Sequence, residues 1–204
     1  MKKVIIIGAG GHARVIADII KLNGDIVYGF LDDKGQENIH ELKILGGIDD
    51  INRFLEKDCY FIVAIGNNQI RYEIMTKYSN AIWYTAIHPA AVIANDVEIG
   101  SGTAIMANAV INTGSKIGRG VIINTSATVD HDCLIGDFVH ISPGAHLAGN
   151  VRLGEKTWIG IGANVINNID ICSECIIGAG AVVVKNIIKK GTYVGVPAKK
   201  FLIN

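Results

Sequence analysis

Aliphatic residues recur at every sixth position through the second half of the chain. The repeat starts at Ile87, ends at Val183, and contains only Ile, Val and Leu. A second set of mostly smaller residues lies four positions after each of these anchors, from Ala91 to Ile187. A helix repeats near 3.6 residues and a strand near 2, so neither alone gives a period of six. The pattern predicts short strands and corners wound into a solenoid, with both sets pointing inward.

This array resembles the hexapeptide-repeat acyltransferases, which form a left-handed parallel β-helix. The resemblance implies that three hexads make one triangular coil, so the 96 residues from Ile87 to Val183 give about five coils. Glycine directly follows several anchors, as a tight corner would require. These glycines are Gly100, Gly118, Gly136, Gly154, Gly160 and Gly178.

The first part of the chain alternates between apolar runs and helical patterns. We predict strands at residues 2–7, 26–31, 60–65 and 82–84, helices at 13–22, 48–56 and 70–77, a polar loop at 34–41 and a turn at 45–47. Such alternation favours a parallel sheet. The expected architecture is an α/β Rossmann-like domain over residues 1–84, followed by an all-β left-handed β-helix with a short C-terminal tail over residues 85–204.

A glycine-rich turn connects the first predicted strand to the first helix. Gly10, Gly11 and His12 would place backbone N–H groups and a helix N-terminus near an anion, although a tight turn without a ligand fits as well. Asp32 and Asp33 end the second strand, where a carboxylate meets a ribose or sugar hydroxyl or is simply solvated. The domain is half a dinucleotide fold, so we expect one nucleotide and not NAD.

Composition and charge exclude several classes of function. Nineteen basic and nineteen acidic residues cancel, which gives no electrostatic basis for binding nucleic acid or a charged membrane. No apolar run approaches the roughly 18 residues of a membrane helix, and we expect a cytoplasmic protein. Cys133 and Cys175 occupy inward positions and Cys172 follows an anchor, so core or wall packing is expected, with no redox site, zinc site or disulfide.

Acyl transfer needs a base of near-neutral pKa, and histidine is the usual choice. His88, His131, His140 and His146 all lie at outward positions of the repeat, which predicts that none is buried in the core. Each is therefore expected at the surface or between subunits. Asp130 and Asp132 flank His131, and such a carboxylate would orient the ring and stabilise the imidazolium.

The coil length fixes what lies near His131. Gly149 is 18 residues further on, one coil higher in the same column, and its missing side chain would leave room for a ligand. His140 is only nine residues on, half a coil, and therefore belongs to a different wall. The two histidines would meet only across a subunit boundary, which favours active sites between protomers.

The whole chain is similar to a narrower family, the nucleotide-sugar acetyltransferases of the bacillosamine, GDP-perosamine and sialic acid pathways. The motifs that carry this resemblance are residues 8–12, 31–33, 64–68, 124–133, 148–151 and 195–199. The block from Asn124 to Cys133 is the most specific of them.

The resemblance implies the roles of the site residues and the co-substrate. His131 would be the general base, supported by Asp132, in acetyl transfer from acetyl-CoA, with no metal. The acetyl-CoA site would include His140, Gly149, Ile161, Gly178, Ala179 and Lys199, although Lys199 and Lys200 could equally be solvated. The nucleotide-sugar site would include Gly10, Gly11, His12, Asp32, Asp33, Gly66 and Asn124. A homotrimer is expected.

The sequence leaves four readings of the function. The first is N-acetylation of a nucleotide-linked 4-amino-4,6-dideoxy sugar, UDP-linked or, as in the perosamine enzymes, GDP-linked. The second is O-acetylation of sialic acid or another free sugar. The third is a zinc enzyme in which His131, His140 and His146 meet at a trimer boundary. The fourth is a scaffold without catalysis.

Overall fold

The computed structural model describes residues 1–33 and 44–201. The chain begins with a four-stranded parallel sheet in the order β3-β2-β1-β4. Its elements are β1 Lys3–Ile7, α1 Gly11–Leu22, β2 Ile26–Leu31, β3 Ile44–Gly46, a 3-10 helix Ile48–Arg53, β4 Cys59–Val63 and α2 Asn68–Lys77. This is the Rossmann-like unit that the alternation predicts.

Three of the predicted elements differ from the structure in type or extent. The turn expected at residues 45–47 is largely strand β3, which pairs with β2 at the sheet edge. The helix expected at residues 48–56 is a shorter 3-10 helix. The strand expected at residues 82–84 is reduced to one bridge between Phe61 and Trp83. The loop predicted for residues 34–41 lies outside the described residues.

Seventeen two-residue strands then wind into a left-handed parallel β-helix with three walls. The first wall contains β5 Ala86–Ile87, β8 Ala104–Ile105, β11 Ile122–Ile123, β14 His140–Ile141, β17 Trp158–Ile159 and β20 Ile176–Ile177. The second contains β6 Val92–Ile93, β9 Val110–Ile111, β12 Thr128–Val129, β15 His146–Leu147, β18 Asn164–Val165 and β21 Val182–Val183. The third contains β7 Glu98–Ile99, β10 Lys116–Ile117, β13 Leu134–Ile135, β16 Arg152–Leu153 and β19 Asp170–Ile171.

A short tail extends the first wall. Strand β22 Thr192–Val194 pairs parallel with β20, and β23 Lys199–Lys200 returns antiparallel to β22. We call the turns between the first and second walls the first corner, those between the second and third walls the second corner, and those between the third and first walls the third corner.

The predicted inward residues form the core of the β-helix. Each strand pairs with the strand 18 residues further on, as Ile123 does with Ile141, so like residues stack in columns. The anchors and the small residues belong to one hydrophobic cluster, and burial of each large aliphatic side chain contributes about 1.5–3 kcal/mol. Cys133 and Cys175 are buried members of this cluster, as predicted.

Glycines at the third corner are required by the spacing of the coils. A Cβ built on Gly100 would lie 2.4 Å from the backbone nitrogen of Arg119, and one on Gly154 would lie 2.3 Å from that of Ser173. Only a residue without a side chain allows the next coil to approach this closely.

The Rossmann-like unit packs directly on the first wall of the β-helix. Val4, Ile6 and Ile16 share one buried cluster with Ala104 and Ile122. This contact covers the lower part of the first wall and decides which of its outward residues are buried.

Candidate active site

The second corner carries a histidine–carboxylate pair. His131 Nδ1 lies 2.9 Å from Asp132 Oδ2, and the His131 side chain is 55% exposed. Asp132 takes the left-handed conformation, with φ of 60°, which turns its carboxylate back toward the ring. The hydrogen bond from the Asp132 carboxylate raises the pKa of His131. The ring is therefore oriented and made more basic, as a general base requires.

The remaining carboxylate of this corner fixes the backbone. Asp130 Oδ1 accepts a hydrogen bond from the His131 backbone N–H at 2.8 Å and another from Asn112 Nδ2 at 2.8 Å. These two hydrogen bonds lower the pKa of Asp130, so it remains ionised beside the ring. Asp130 holds the corner in place and leaves the imidazole contact to Asp132.

Gly149 does not leave room for a ligand, as we had predicted from the sequence. A Cβ built at this position would lie 2.5 Å from both Cε1 and Nε2 of His131. The imidazole itself lies over Gly149, one coil above its own position. The glycine therefore makes space for the base and not for a substrate.

His140 is buried, which contradicts the prediction that all four histidines avoid burial. It is 8% exposed because the Rossmann-like unit covers this part of the first wall. Its ring stacks on Trp158 at 5.7 Å between centroids and 4° between planes. Burial, followed by the charges of Arg71 and His12, lowers the pKa of His140 to about 3.

The glycine-rich turn lies at the carboxyl ends of the parallel strands. Helix α1 begins with Gly10 as its N-cap, and no side chain caps this end. A Cβ built on Gly10 or Gly66 would meet no atom within 4 Å, so both glycines border open space. Sheet order reverses between β1 and β4, and ligands of open α/β sheets bind in the crevice at such a point.

The two acidic residues after β2 also brace this region. Asp32 Oδ2 accepts a hydrogen bond from the Ala9 backbone N–H at 2.8 Å and so ties the glycine-rich turn to β2. Asp33 Oδ1 accepts one from the Ile48 backbone N–H at 2.7 Å, at the start of the 3-10 helix. Both carboxylates support the loops at the crevice, and their contact with a sugar or ribose stays a prediction.

Arg71, on α2, joins the two parts of the chain and was not predicted. Its guanidinium is fully buried and donates to the carbonyl oxygens of Gly120, at 2.6 Å from Nε, and Phe138, at 2.9 Å from Nη2. It also donates to Ile65 O at 3.0 Å and to Asn68 Oδ1 at 2.9 Å. Burial lowers the pKa of Arg71 to about 9.

Two signals in the sequence would have located these residues. Arg71 falls on the same helical face as Ile74, Met75 and Tyr78, which are all buried, so its spacing marks it as inward. Trp158 lies one coil above His140 on the first wall, where the 18-residue period predicts stacking.

The other predicted acetyl-CoA residues lie at the first corner and along the tail. Ile161 and Ala179 are exposed at this corner, and Lys199 is exposed on β23. A Cβ built on Gly178 would lie 2.7 Å from Val194 Cγ1, so the tail packs against this turn. Within one chain, the second wall separates these residues and His140 from His131 and Asp132.

Other groups in the described part of the chain do not form a metal site or a membrane span. Among residues 1–33 and 44–201, no three His, Cys, Asp or Glu side chains are grouped to hold a metal ion. No helix within these residues is long and apolar enough to cross a membrane. In one chain His131, His140 and His146 occupy the second corner, the first wall and the second wall.

Comparison with known sequences identifies relatives of both parts of the chain. Residues 3–78 match the family described as the PglD N-terminal domain. A UDP-N-acetylbacillosamine N-acetyltransferase of Bacillus subtilis is 37% identical over 114 residues, 52% of each protein. An uncharacterized mimivirus protein is 37% identical over 103 residues, 21% of its length. The chain thus spans about half or less of the curated relatives it matches.

Solved structures match over the full chain. Perosamine N-acetyltransferase of Caulobacter crescentus, in a complex with CoA and GDP-perosamine, is 36% identical, with a TM-score of 0.96 and coverage of 100% of this chain and 98% of that one. The acetyltransferase domain of PglB from Neisseria gonorrhoeae, in a complex with acetyl coenzyme A, is 41% identical, with a TM-score of 0.93 and coverage of 98% and 99%.

Proposed function

Because this chain belongs to the hexapeptide-repeat sugar N-acetyltransferases, we propose that it transfers an acetyl group from acetyl-CoA to the 4-amino group of a nucleotide-linked amino-deoxy sugar. The observation that carries the proposal is the 2.9 Å contact between His131 and Asp132 on an exposed corner. A histidine that is oriented and made more basic in this way suits the removal of a proton from an attacking amine.

The chemistry needs one base and no covalent enzyme intermediate, because a thioester is already activated. The sugar nitrogen attacks the acetyl carbonyl carbon, and His131 Nε2 accepts the proton that the nitrogen loses. The C–S bond then breaks, and the CoA sulfur leaves and takes up a proton. Asp132 stabilises the imidazolium during this exchange, and a backbone N–H of the β-helix wall would hold the oxyanion.

The nucleotide-sugar would occupy the crevice at the glycine-rich turn. Gly10, Gly11, His12 and Gly66 border the open space at the strand ends, with Asp32 and Asp33 beside them and Asn124 facing from the first corner. The helix N-terminus at Gly10 favours a phosphate group. A UDP-4-amino-4,6-dideoxy sugar is our first candidate. A GDP-linked sugar is the second, because the perosamine enzyme matches the whole chain.

Acetyl-CoA would extend along the first corner. His140, Ile161, Gly178 and Ala179 would line it, and Lys199 would meet its phosphates. Since the second wall separates these residues from His131 within one chain, a second copy would have to supply one set. We therefore propose a homotrimer with active sites between protomers.

The test is a screen of UDP- and GDP-linked 4-amino sugars and free sialic acid with acetyl-CoA, in which release of free thiol is measured. We expect turnover with one nucleotide-linked amino sugar, and loss of about 10²-fold or more in His131→Ala. His88→Gln, on an outward histidine of the first coil, serves as the matched control and should keep full activity. Unchanged turnover in His131→Ala would contradict the assignment of the base.

A further inference from the structure

Two buried histidine nitrogens at the junction of the Rossmann-like unit and the β-helix have no use in the proton transfer above. His140 Nδ1 and His12 Nε2 are both buried, and neither has a hydrogen-bond partner among the described residues. Burial is the largest cause that lowers the pKa of His12 to about 4, as it does for His140 to about 3. Both rings are therefore neutral near pH 7, and each carries one N–H and one lone pair.

The hydrogen bonds of Asn124 determine which nitrogen of His140 carries the proton. Asn124 Oδ1 accepts a hydrogen bond from the Thr125 backbone N–H at 2.8 Å, which leaves the amide NH₂ on the other side. That NH₂ lies 3.2 Å from His140 Nε2. A flipped amide would oppose two donors at Thr125. The amide nitrogen therefore donates to Nε2, and Nε2 must hold the lone pair.

The proton of neutral His140 consequently lies on Nδ1. This N–H is buried at the junction, and an unmet buried donor is costly. Trp158 stacks on the ring and its own Nε1–H donates to Ser142 Oγ at 2.8 Å, so the ring plane is held on that side too. The Gly66 carbonyl, which also faces the ring, raises the pKa of His140 less than burial lowers it. The donor direction and charge of His140 are thus set before any ligand arrives.

We propose that Asn124 is a positioning residue that fixes the Nδ1–H tautomer of His140, so that an uncharged donor is presented to an acceptor oxygen of the bound substrates. The inference rests on the proposed function only in that substrates occupy this junction. The oxygen would belong either to the thioester carbonyl or to a sugar hydroxyl. Both are neutral acceptors, which suits a donor that carries no charge.

The tautomer can be measured without any turnover. Two-bond ¹H–¹⁵N correlation spectra of protein labelled at histidine distinguish Nδ1–H from Nε2–H, and the His140 signals are assigned by their loss in His140→Gln. We expect Nδ1–H at pH 7 in the wild type. In Asn124→Asp the carboxylate would accept from both Thr125 N–H and the ring, which moves the proton to Nε2. A wild-type Nε2–H ring, or no change in Asn124→Asp, would overturn the proposal even if the enzyme is active.

Kinetics of the same variants test the use of the donor. Asn124→Asp should lower kcat/KM by about 10-fold or more, the effect of one hydrogen bond to the reacting group. A fall in kcat identifies the thioester carbonyl, whereas a rise in KM for the nucleotide-sugar alone identifies a hydroxyl. Asn186→Asp, which adds the same charge where Oδ1 accepts from the Asp170 backbone N–H, is the control and should match wild type. A tautomer shift with unchanged kinetics for both substrates would refute the donor role.

Discussion

A single methyl group at residue 149 would collide with the proposed base. Gly149 has no positive φ, so alanine is allowed by its backbone, yet the added carbon would lie 2.5 Å from the His131 ring. We expect Gly149→Ala to fold normally but to displace the imidazole. A displacement of about 1 Å can lower kcat by about 10²-fold.

Steady-state rates and thermal unfolding together check this expectation for Gly149→Ala. Asn167→Ala, one coil further along the same column, is the control and should change neither quantity. Full activity in Gly149→Ala would show that the ring does not act from the position seen here.

The pH dependence of the reaction is also decided by one residue, Asp132. Its hydrogen bond raises the pKa of His131, and only neutral His131 can accept a proton, so the acid limb of kcat/KM follows that raised pKa. In Asp132→Asn the imidazolium loses this stabilisation and the pKa falls. The acid limb should move to lower pH while the maximal kcat falls by about 10²-fold. A pH–rate profile with the limb unmoved would contradict the pairing.

At the scale of elements, Arg71 fastens helix α2 to the first wall and third corner. Its guanidinium meets no carboxylate and is surrounded by carbonyl oxygens of both units. Arg71→Met keeps the aliphatic stem but leaves buried carbonyls without donors, so the free energy of unfolding should fall by about 3 kcal/mol or more. Arg53→Met, which removes an exposed ion pair to Asp50, should cost less than about 1 kcal/mol.

Urea unfolding of both variants measures the difference. Equal midpoints for Arg71→Met and Arg53→Met would show that the buried guanidinium contributes no more than a surface ion pair.

The elements also show how far the sequence can be read. The hexad pattern identifies inward residues such as Ile123 and Val139, because burial inside the β-helix depends only on the local period. It cannot reveal that His140 is buried, because an outward side chain is covered only by another part of the chain. Strand β3 was missed for a similar reason, since its pairing with β2 forms the sheet edge and its three residues carry no periodic signal.

At the scale of the whole molecule, the candidate site is incomplete in one chain. His131 lies at the second corner, whereas His140 lies on the first wall, with the second wall between them. If sites form between copies, one mixed site can receive His131 from one chain and His140 from another. Two inactive variants can then restore one intact site within the same trimer.

Subunit mixing tests this arrangement. His131→Ala and His140→Ala, each inactive alone, are refolded or co-expressed together and purified as mixed oligomers with two different tags. Random mixing gives some interfaces that carry neither change, so we expect partial recovery of activity. Mixing His131→Ala with His131→Asn is the control and should recover nothing, because every site then lacks the base. No recovery in the first mixture, despite verified mixed oligomers, would place both histidines in one chain's site and contradict the shared-site proposal.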